Sequence, residues 1–342
     1  MDRSKYDNSS EIVLDHGSGA QLSHELVSLI VETLGDVYLG EMEDSAMLPI
    51  EGGRIAMTTD SFVVDPPFFG NGDIGKIAVC GTVNDLAVVG SKPLYLTLGM
   101  ILETGLPMER LVRVLTSIRE TAREAGVRIV CGDTKVVRKG EADRIYLNTA
   151  GVGVFEREPL RMGRVRPGDR VILSGPIGNH TVHLLSIREG LGFEQRVLSD
   201  CAPLNGLLET VFGRVEEGMV RSVRDVTRGG LAAVLHEYAD ALGHTVRVDQ
   251  ETLPIQPETA MAMDMLGIDP IHTANEGCLC LFVAPAAEER VLAALRSHRY
   301  GNRAVTIGEV TGRADPLVLL RDRAGRESVL EELRGAELPR LC

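Results

Sequence analysis

Short apolar runs of strand length alternate with longer amphipathic segments along most of the chain, and this pattern is typical of α/β proteins. In the first half it predicts strands at 54–59, 93–102, 127–130 and 145–155, and helices at 107–125 and from Asp73 onward. In the second half it predicts strands at 170–174, 220–225, 278–283 and 304–310, with helices at 203–212 and 286–298 and through Leu184 and Leu235. We expect the strand at 127–130 to be buried. The predicted fold class is α/β (α+β).

An Arg- and Pro-rich stretch without apolar periodicity, 156–168, separates the two halves, and we interpret it as a linker. The 342 residues are enough for two domains, each with its own core. We expect a flexible leader with a glycine loop and a helix (1–37), an N-terminal domain (38–156), a C-terminal domain (165–332) and a mobile tail (333–342).

The chain carries 36 Lys and Arg residues against 49 Asp and Glu residues, which gives a formal net charge of −13. A surface of this sign repels nucleic acids and anionic membranes, so we expect neither as a partner. No apolar run approaches the roughly 18 residues of a membrane span. An anionic substrate would therefore need local cationic groups or a metal ion.

The six cysteines show no CxxC or framework spacing, and the polar start of the chain has no secretory signal pattern. We therefore expect reduced thiols and a cytoplasmic location. Cys278 and Cys280 alternate with apolar residues, which predicts strand positions and not metal ligands. His180 and His183 lie three apart at a helix start without a third ligand, so we expect them on a solvated helix face.

Several acidic residues of the first half lie at the ends of apolar segments or interrupt them. Asp60 follows the predicted strand at 54–59, Asp133 follows the strand at 127–130, and Asp85 interrupts an apolar helix. Carboxylates in such places are ligands that Mg²⁺ prefers when it bridges to phosphates. Ordinary caps and turns are the alternative, which the pattern alone leaves open.

Two glycine-containing loops are candidate anion sites. Residues 17–19 (Gly-Ser-Gly) precede an apolar-periodic segment, and residues 227–229 (Thr-Arg-Gly) lie between a predicted strand and a helix N-terminus. Backbone amides and the helix dipole favour anions there. The chain has no Walker-type phosphate-binding motif. For the loop at 17–19, a plain helix entry remains the alternative.

The chain ends in a cysteine, Cys342, three residues after Pro339. Proline fixes its own backbone and cannot continue a helix, so we expect the last residues to form a short extended arm with an exposed thiol. Exposed thiols oxidise and exchange, so a cysteine in this place points to chemistry on its sulfur. An inert, disordered tail is the alternative that the tail sequence leaves open.

Eight motifs together resemble the HypE family of NiFe-hydrogenase maturation factors, and the resemblance spans nearly the whole chain. They lie at 60–66 (DSFVVDP), 73–76 (DIGK), 81–87 (GTVNDLA), 132–137 (GDTKVV), 200–205 (DCAPLN), 225 with 227–231, 275–277 (NEG) and 339–342 (PRLC). The family is part of the ATP-binding superfamily of aminoimidazole ribonucleotide synthetase, thiamine-monophosphate kinase and selenophosphate synthetase. The terminal cysteine separates it from those relatives.

The resemblance implies an ATP-dependent carbamoyl dehydratase that acts on its own C-terminal cysteine. A HypF-type carbamoyltransferase would load Cys342, this chain would dehydrate the S-carboxamide to an S-cyanate, and a HypC–HypD complex would receive the cyanide. The resemblance also implies a homodimer whose first-domain sheets pack together. Our hypothesis for proton removal is Glu276, with Lys135 as its charged neighbour.

ATP and Mg²⁺ are the implied cofactors, held in a cleft between the domains. The implied nucleotide-binding residues are Gly17, Ser18, Gly19, Asp60, Lys76, Asn84, Asp85, Asp133, Asp225, Thr227, Arg228 and Gly229. The implied metal ligands are Asp44, Asp60, Asp85 and Asp225.

Two other classes of function remain open. A small-molecule kinase or ligase of the superfamily would share the aspartates but have no use for Cys342. A non-catalytic carbamoyl carrier would need the cysteine and no magnesium site.

Overall fold

The computed structural model describes residues 21–22, 24–25, 28, 45–51, 53–315, 317–333, 335 and 340–342. The expected glycine loop at 17–19, Asp44 and most of the expected leader lie outside these residues.

Among the described residues, five strands form the first sheet, in the order β1-β2-β5-β3-β4, and only β3 and β4 of these pair in parallel. The strands are β1 (Ala46–Ile50), β2 (Gly53–Phe62), β3 (Lys92–Glu103), β4 (Arg128–Val137) and β5 (Ile145–Val154). Helix α1 (Ile74–Val88) packs across one face of this sheet, and α2 (Met108–Ala125) packs against α1.

Local sequence sets the ends of both helices. The Asp73 carboxylate accepts hydrogen bonds from the backbone amides of Gly75 and Lys76, so it caps the N-terminus of α1. Gly126 ends α2 in the left-handed conformation, with φ of 72°. Both features agree with the sequence pattern, because a cap is determined by its own few residues.

Strand β4 differs from the prediction in length and in burial. We predicted a buried strand at 127–130, but the strand spans Arg128–Val137 and its residues are almost all exposed. The prediction was wrong because β4 pairs only with β3 and lies at the edge of the sheet. The apolar side chains of β4 therefore lack cover from the described part of the chain.

Seven strands form the second sheet, in the order β12-β11-β8-β10-β6-β9-β7, with β8 and β11 as its parallel pair. The strands are β6 (Arg170–Leu173), β7 (Val220–Asp225), β8 (Val246–Asp249), β9 (Leu279–Val283), β10 (Val305–Val310), β11 (Val318–Arg321) and β12 (Glu327–Val329). The helices are α3 (Asn179–Glu189), α4 (Asn205–Phe212), α5 (Gly230–Leu242), α6 (Pro257–Leu266) and α7 (Glu288–Arg296). Short 3-10 turns lie at Met162–Arg164, Gln250–Thr252, Pro270–His272 and Pro285–Ala287.

Elements β1, β8, β11, β12 and α6 were not predicted. The four strands are three to five residues long and too short to show a period of two. None of the described helices combines the length and the apolar character needed to cross a membrane.

The side chain of Asn84 joins the two halves of the molecule. Its amide nitrogen donates to the carbonyl of Ala202 at 3.1 Å, and its amide oxygen accepts from the amide of Leu204 at 2.8 Å. Asn84 is buried in the middle of α1, so both bonds are shielded from water. One hydrophobic core also contains side chains of both halves, among them Phe62 and Leu184. The cleft described next lies beside this junction.

Candidate active site

Asp60 and Asp85 meet on the helix-covered face of the first sheet. Asp60 lies near the carboxyl end of β2, and its carboxyl group is in hydrogen-bonding contact with that of Asp85 from α1. The hydroxyl of Thr58 also donates to Asp85 Oδ2, at 2.8 Å. Burial raises the pKa of Asp60, and the charge of Arg228 opposes that rise. Two carboxylates this close repel unless a proton or a cation lies between them.

Asp225 brings a further carboxylate from the second sheet. It is the last residue of β7 and is buried, and burial raises its pKa to about 6, with Asp60 adding to the rise. The chain then turns through Thr227 and Arg228 into α5. A Cβ at Gly230 would lie 2.6 Å from the carbonyl oxygen of Ile271, and φ there is 68°, so this close turn requires glycine.

Asp200 and Glu276 form the floor of the cleft. The amide of Glu276 donates to Asp200 Oδ1 at 3.0 Å, and a Cβ at Gly277 would lie 1.8 Å from the Asp200 carbonyl oxygen. Only glycine therefore allows this approach. Burial raises the pKa of Asp200 to about 6, and among the described residues its Oδ2 has no hydrogen-bond partner. Burial also raises the pKa of Glu276 well above its usual value, and the neighbouring Cys201 and Asp200 add to the rise.

The terminal residues dock into this cleft. The amide of Val63 donates to the backbone oxygen of Cys342 at 2.9 Å, and the amide of Asp65 donates to the Arg340 carbonyl at 3.1 Å. Leu341 is 4% exposed and belongs to the core that spans both halves. Cys342 is thus docked and half-buried in this position, although we expected an exposed end. Mobility of the tail stays a prediction.

The thiol lies among the acidic groups. Burial, followed by the charge of Glu276, raises the pKa of Cys342 to about 12, while Arg228 opposes the rise. Asp60 and Asp225 act on the same thiol in the same direction as Glu276. The cleft therefore places the sulfur beside carboxylates from both sheets.

The charges of the cleft do not balance. Among the described residues, the carboxyl groups outnumber the cations that act on them, Arg228, Arg224 and Lys76. Neighbouring acidic groups add to the rise that burial causes in the pKa values of Asp225 and Glu276. Such a site favours either protons or a bound cation. In the described ranges, no group of three His, Cys, Asp or Glu side chains has ready-made metal-ligand geometry. The donor set still fits a hard cation that takes some of its oxygen ligands from a phosphate.

Two residues of the expected site lie away from the acidic cleft in the structure. Asp133 and Lys135 are on β4, where Asp133 aligns with Gly99 of β3, then with Asn148 of β5 and Ser61 of β2. Successive strand residues face opposite sides, so Asp133 lies on the open face, opposite Asp60. Lys135 Nζ contacts Asp133 Oδ2 at 2.6 Å, and both side chains are 69% exposed. Within one chain, the structure does not bring Lys135 to Glu276.

The other expected nucleotide-binding residues divide into two groups. Lys76, in the first turn of α1, places its Nζ 3.4 Å from the Asn71 carbonyl oxygen, and its charge weakly opposes the burial that raises the pKa of Asp200. Thr227, Arg228 and Gly229 form the turn before α5, and Gly229 has φ of 79°. The amide of Asn84 is instead occupied by the backbone of the second half.

His180 and His183 are buried, and our prediction of a solvated helix face was wrong. They are 0% and 1% exposed, and His180 Nε2 lies 2.8 Å from the carbonyl oxygen of Leu341. His183 contacts the carbonyl oxygens of Phe69 and Val197. The spacing on α3 gave no sign of this environment, because the groups that cover it come from distant parts of the chain. The prediction for Cys278 and Cys280 agrees with the structure, in which both are buried in or beside β9.

Comparisons with known proteins agree with this geometry. The family model "AIR synthase related protein, N-terminal domain" matches residues 42–155, and the corresponding C-terminal domain model matches residues 166–319. The chain is 44% identical over 341 residues to carbamoyl dehydratase HypE of Escherichia coli (strain K12), over 97% of this chain and 100% of that protein. It resembles the crystal structure of a HypE–HypF complex at 42% identity with a TM-score of 0.83, over 90% of this chain and 100% of that one. It also resembles HypE in complex with ATP at 40% identity with a TM-score of 0.81, over 97% and 100%.

Proposed function

The chain belongs to the HypE family of carbamoyl dehydratases, and we propose that its reaction takes place on Cys342 in the acidic cleft. An S-carboxamide on the sulfur would lose water to become an S-cyanate, with ATP converted to ADP and phosphate. The product serves hydrogenase maturation as a source of cyanide ligands. The observation that carries this proposal is the docked thiol, which lies among Glu276, Asp60 and Asp225.

The chemistry explains why ATP is used. A carboxamide oxygen is a poor leaving group, and transfer of the γ-phosphoryl group of ATP to this oxygen, with release of ADP, makes it a good one. The C–O bond can then break as both N–H protons leave, so the carbon and nitrogen end as a nitrile. Phosphoryl transfer depends mainly on positioning and on stabilising charge. The residues of the cleft can do both.

Asp60, Asp85 and Asp225 are the residues that would hold magnesium, together with Asp44, which lies outside the described residues. When bound, the ion would neutralise charge between these carboxylates and the phosphates. Arg228 and the turn at 227–229, before α5, would contact phosphate oxygens. Lys76 would add a further positive charge, because its charge already opposes the burial that raises the pKa of Asp200.

We propose Glu276 as the acceptor of protons from the carboxamide nitrogen. It is 4% exposed and lies close enough to Cys342 to raise the pKa of that thiol. Burial raises its own pKa, which favours the protonated form in the ligand-free cleft. Cation charge entering the cleft would lower that pKa and release the base.

A second copy of the chain would cover the open face of the first sheet. Met57, Tyr95 and Ile101 point out from this face and are 40–47% exposed, beside the exposed strand β4. An apolar sheet face of this kind is typical of an interface. We propose a homodimer through these sheets, with Lys135 and Asp133 at its interface. A Tyr95→Glu substitution should give monomers in sedimentation experiments, and a dimer of unchanged mass would contradict the proposal.

We propose a HypF-type carbamoyltransferase as the partner that loads Cys342, since a relative of this chain was solved in complex with HypF. A HypC–HypD complex as acceptor of the cyanide, and a cytoplasmic location, are also proposals. The free thiols of all six cysteines agree with a reducing compartment. We further propose that residues 38–156 and 165–332 act as the two domains.

Mass spectrometry of the C-terminal peptide tests the function. After incubation with carbamoyl donor, transferase and Mg²⁺–ATP, the carbamoylated Cys342 peptide should lose one water. The Cys342→Ala protein is the control and should show neither carbamoylation nor water loss. ATP turnover that is unchanged in Cys342→Ala would favour a small-molecule kinase or ligase. Carbamoylation without water loss would favour a non-catalytic carrier.

A further inference from the structure

His180 is enclosed between the tail and the segment that carries Asp200. Its Nε2 lies 2.8 Å from the Leu341 carbonyl oxygen, and its Nδ1 lies 2.7 Å from Ser199 Oγ. A carbonyl only accepts hydrogen bonds, so Nε2 carries the proton and donates it to Leu341. The neutral ring then accepts at Nδ1 from the Ser199 hydroxyl. Burial supports the neutral form, since it lowers the pKa of His180 to about 4.

We propose that His180 is a positioning residue that orients Cys342 for dehydration by holding the carbonyl immediately before it. This inference rests on the proposed function, because it assigns His180 a part in that reaction. We call His180 and Ser199 the tail clasp. The clasp binds the backbone and leaves the sulfur of the next residue free to carry different groups.

The clasp is itself fixed to the acidic floor of the cleft. The amide of Cys201 donates to Ser199 Oγ at 3.2 Å, and the side-chain amide of Asn71 pairs with both backbone groups of Ser199. The next residue, Asp200, accepts from the amide of Glu276. A continuous path thus runs from the Leu341 carbonyl through His180 to Ser199, along the chain to Asp200, and by a hydrogen bond to the backbone of Glu276. The position of the thiol is set relative to the proposed base.

Other contacts hold the tail but at a greater distance from the sulfur. The Arg188 guanidinium donates to the carbonyls of Asp65 and Arg340. The Arg340 guanidinium donates to Val63 O at 2.8 Å and to Asp143 Oδ2 at 2.6 Å. These bonds hold the chain at Arg340, two residues before Cys342. On their own they leave the backbone of the last two residues free to rotate. The His180 bond to Leu341, together with the Val63 bond to the backbone oxygen of Cys342, restricts this rotation next to the thiol.

The test measures how well docking protects Cys342 from iodoacetamide, without ATP and without a carbamoyl group. Cys131 lies on the open face of the first sheet, away from the cleft, so its reactivity should be the same in every variant and its peptide is an internal standard in the same sample. The variants are His180→Leu, which removes the donor, and His180→Gln, which keeps a donor near the Nε2 position. His183→Leu is the matched control, since His183 is equally buried on α3 and its two ring contacts are to Phe69 and Val197.

We expect His180→Leu to raise the ratio of Cys342 to Cys131 alkylation about tenfold, the effect of losing one buried hydrogen bond. His180→Gln should stay within about threefold of the wild type, and His183→Leu should leave the ratio unchanged. An unchanged ratio in His180→Leu would overturn the proposal. If His180→Leu unfolds, which alkylation of buried Cys280 would reveal, Ser199→Ala replaces it. That variant should raise the ratio about threefold, and no change there would equally overturn the proposal.

Single-turnover dehydration separates this inference from the proposed function. If the wild type shows no water loss at Cys342, the proposed function fails while the alkylation result still reports on docking. If the wild type dehydrates and His180→Leu does so at the same rate, the positioning role fails and the function stands. We expect a slower rate in His180→Leu, partial rescue in His180→Gln, and an unchanged KM for ATP in both.

Discussion

The backbone amide of Val63 donates a hydrogen bond to the backbone oxygen of Cys342 at 2.9 Å. Val63 directly follows the last residue of β2, the strand that carries Asp60. The backbone of Cys342 therefore pairs with the first residue beyond that strand. The substrate sulfur and Asp60 are placed by the same stretch of backbone.

Two extra residues after Cys342, for example Gly-Ser, should slow dehydration about a hundredfold, because the sulfur would shift from this pairing position. Loading by the transferase should continue, since it needs only access to the thiol. The ratio of carbamoylated to cyanated peptide in a single turnover measures the effect. The same two residues inserted after Gly335 are the control. They lengthen the tail but keep its docked end, so a similar slowing there would contradict the explanation.

Asp85→Asn should abolish magnesium-dependent ATP binding and leave the fold intact. The change removes a charge from a proposed metal ligand, while the amide oxygen can still accept from Thr58. Calorimetric titration with Mg²⁺–ATP measures the loss. Glu209→Gln, an exposed carboxylate on α4, is the control and should bind as the wild type does. Undiminished binding in Asp85→Asn would exclude Asp85 from the metal site.

Glu276→Gln should bind ATP with little change and fail to form the nitrile. The glutamine has nearly the same volume and can still occupy the buried site, but it cannot accept a proton at neutral pH. Quenched samples should therefore accumulate carbamoylated Cys342 with a cyanate yield at least a hundredfold below that of the wild type. Cyanate formed at the normal rate would remove Glu276 from the proton path.

Without ligands, the wild type should become less stable as pH rises from about 4 to about 6, relative to Asp225→Asn. The folded-state pKa of Asp225 is raised from 3.8 to about 6, so the folded protein holds the proton more tightly than the unfolded chain. Ionisation of Asp225, which is complete above this window, then lowers the free energy of unfolding by roughly 2–3 kcal/mol. Urea unfolding at pH 4.5 and 7 measures it. A difference between the two proteins that does not change with pH would contradict the assignment.

His24 should stabilise the protein at neutral pH and lose this effect in alkali. Its imidazole lies 3.4 Å from Glu237 and 3.3 Å from Glu332, and hydrogen bonds to them raise its pKa to about 10. The folded-state pKa is raised, so the contribution is complete below about pH 6.5 and disappears as pH rises through about 10. The Tm difference between wild type and His24→Gln should follow this course. A difference of equal size at pH 6 and pH 10.5 would argue against the ion pairs.

The family, the mixed α/β fold and the carbamoyl dehydratase activity could be predicted from the sequence, and the comparisons confirm them. Asp73 and Gly126 show why parts of the fold were predictable, since each acts on amides or a turn within a few residues. The burial of β4 and of His180 could not be predicted in this way. Burial depends on what packs against an element. Among the described residues β4 has β3 as its one strand neighbour, and His180 is covered by Leu341, which is 161 positions away in the chain. The position of Lys135 could not be predicted either, because its motif does not show that β4 places this residue on the open face of the sheet.

The two hydrogen bonds of Asn84 to Ala202 and Leu204 have a consequence for how the catalyst works. Hinge opening at this junction would break both bonds at once in a buried place, so the scaffold resists it. Enzymes with free substrates commonly close a lid or a domain over them. Here the proposed substrate is the end of the enzyme's own chain, and we predict that it enters and leaves while the walls of the cleft stay still. The predicted moving part is then the substrate segment itself, and turnover needs no hinge motion between the two halves.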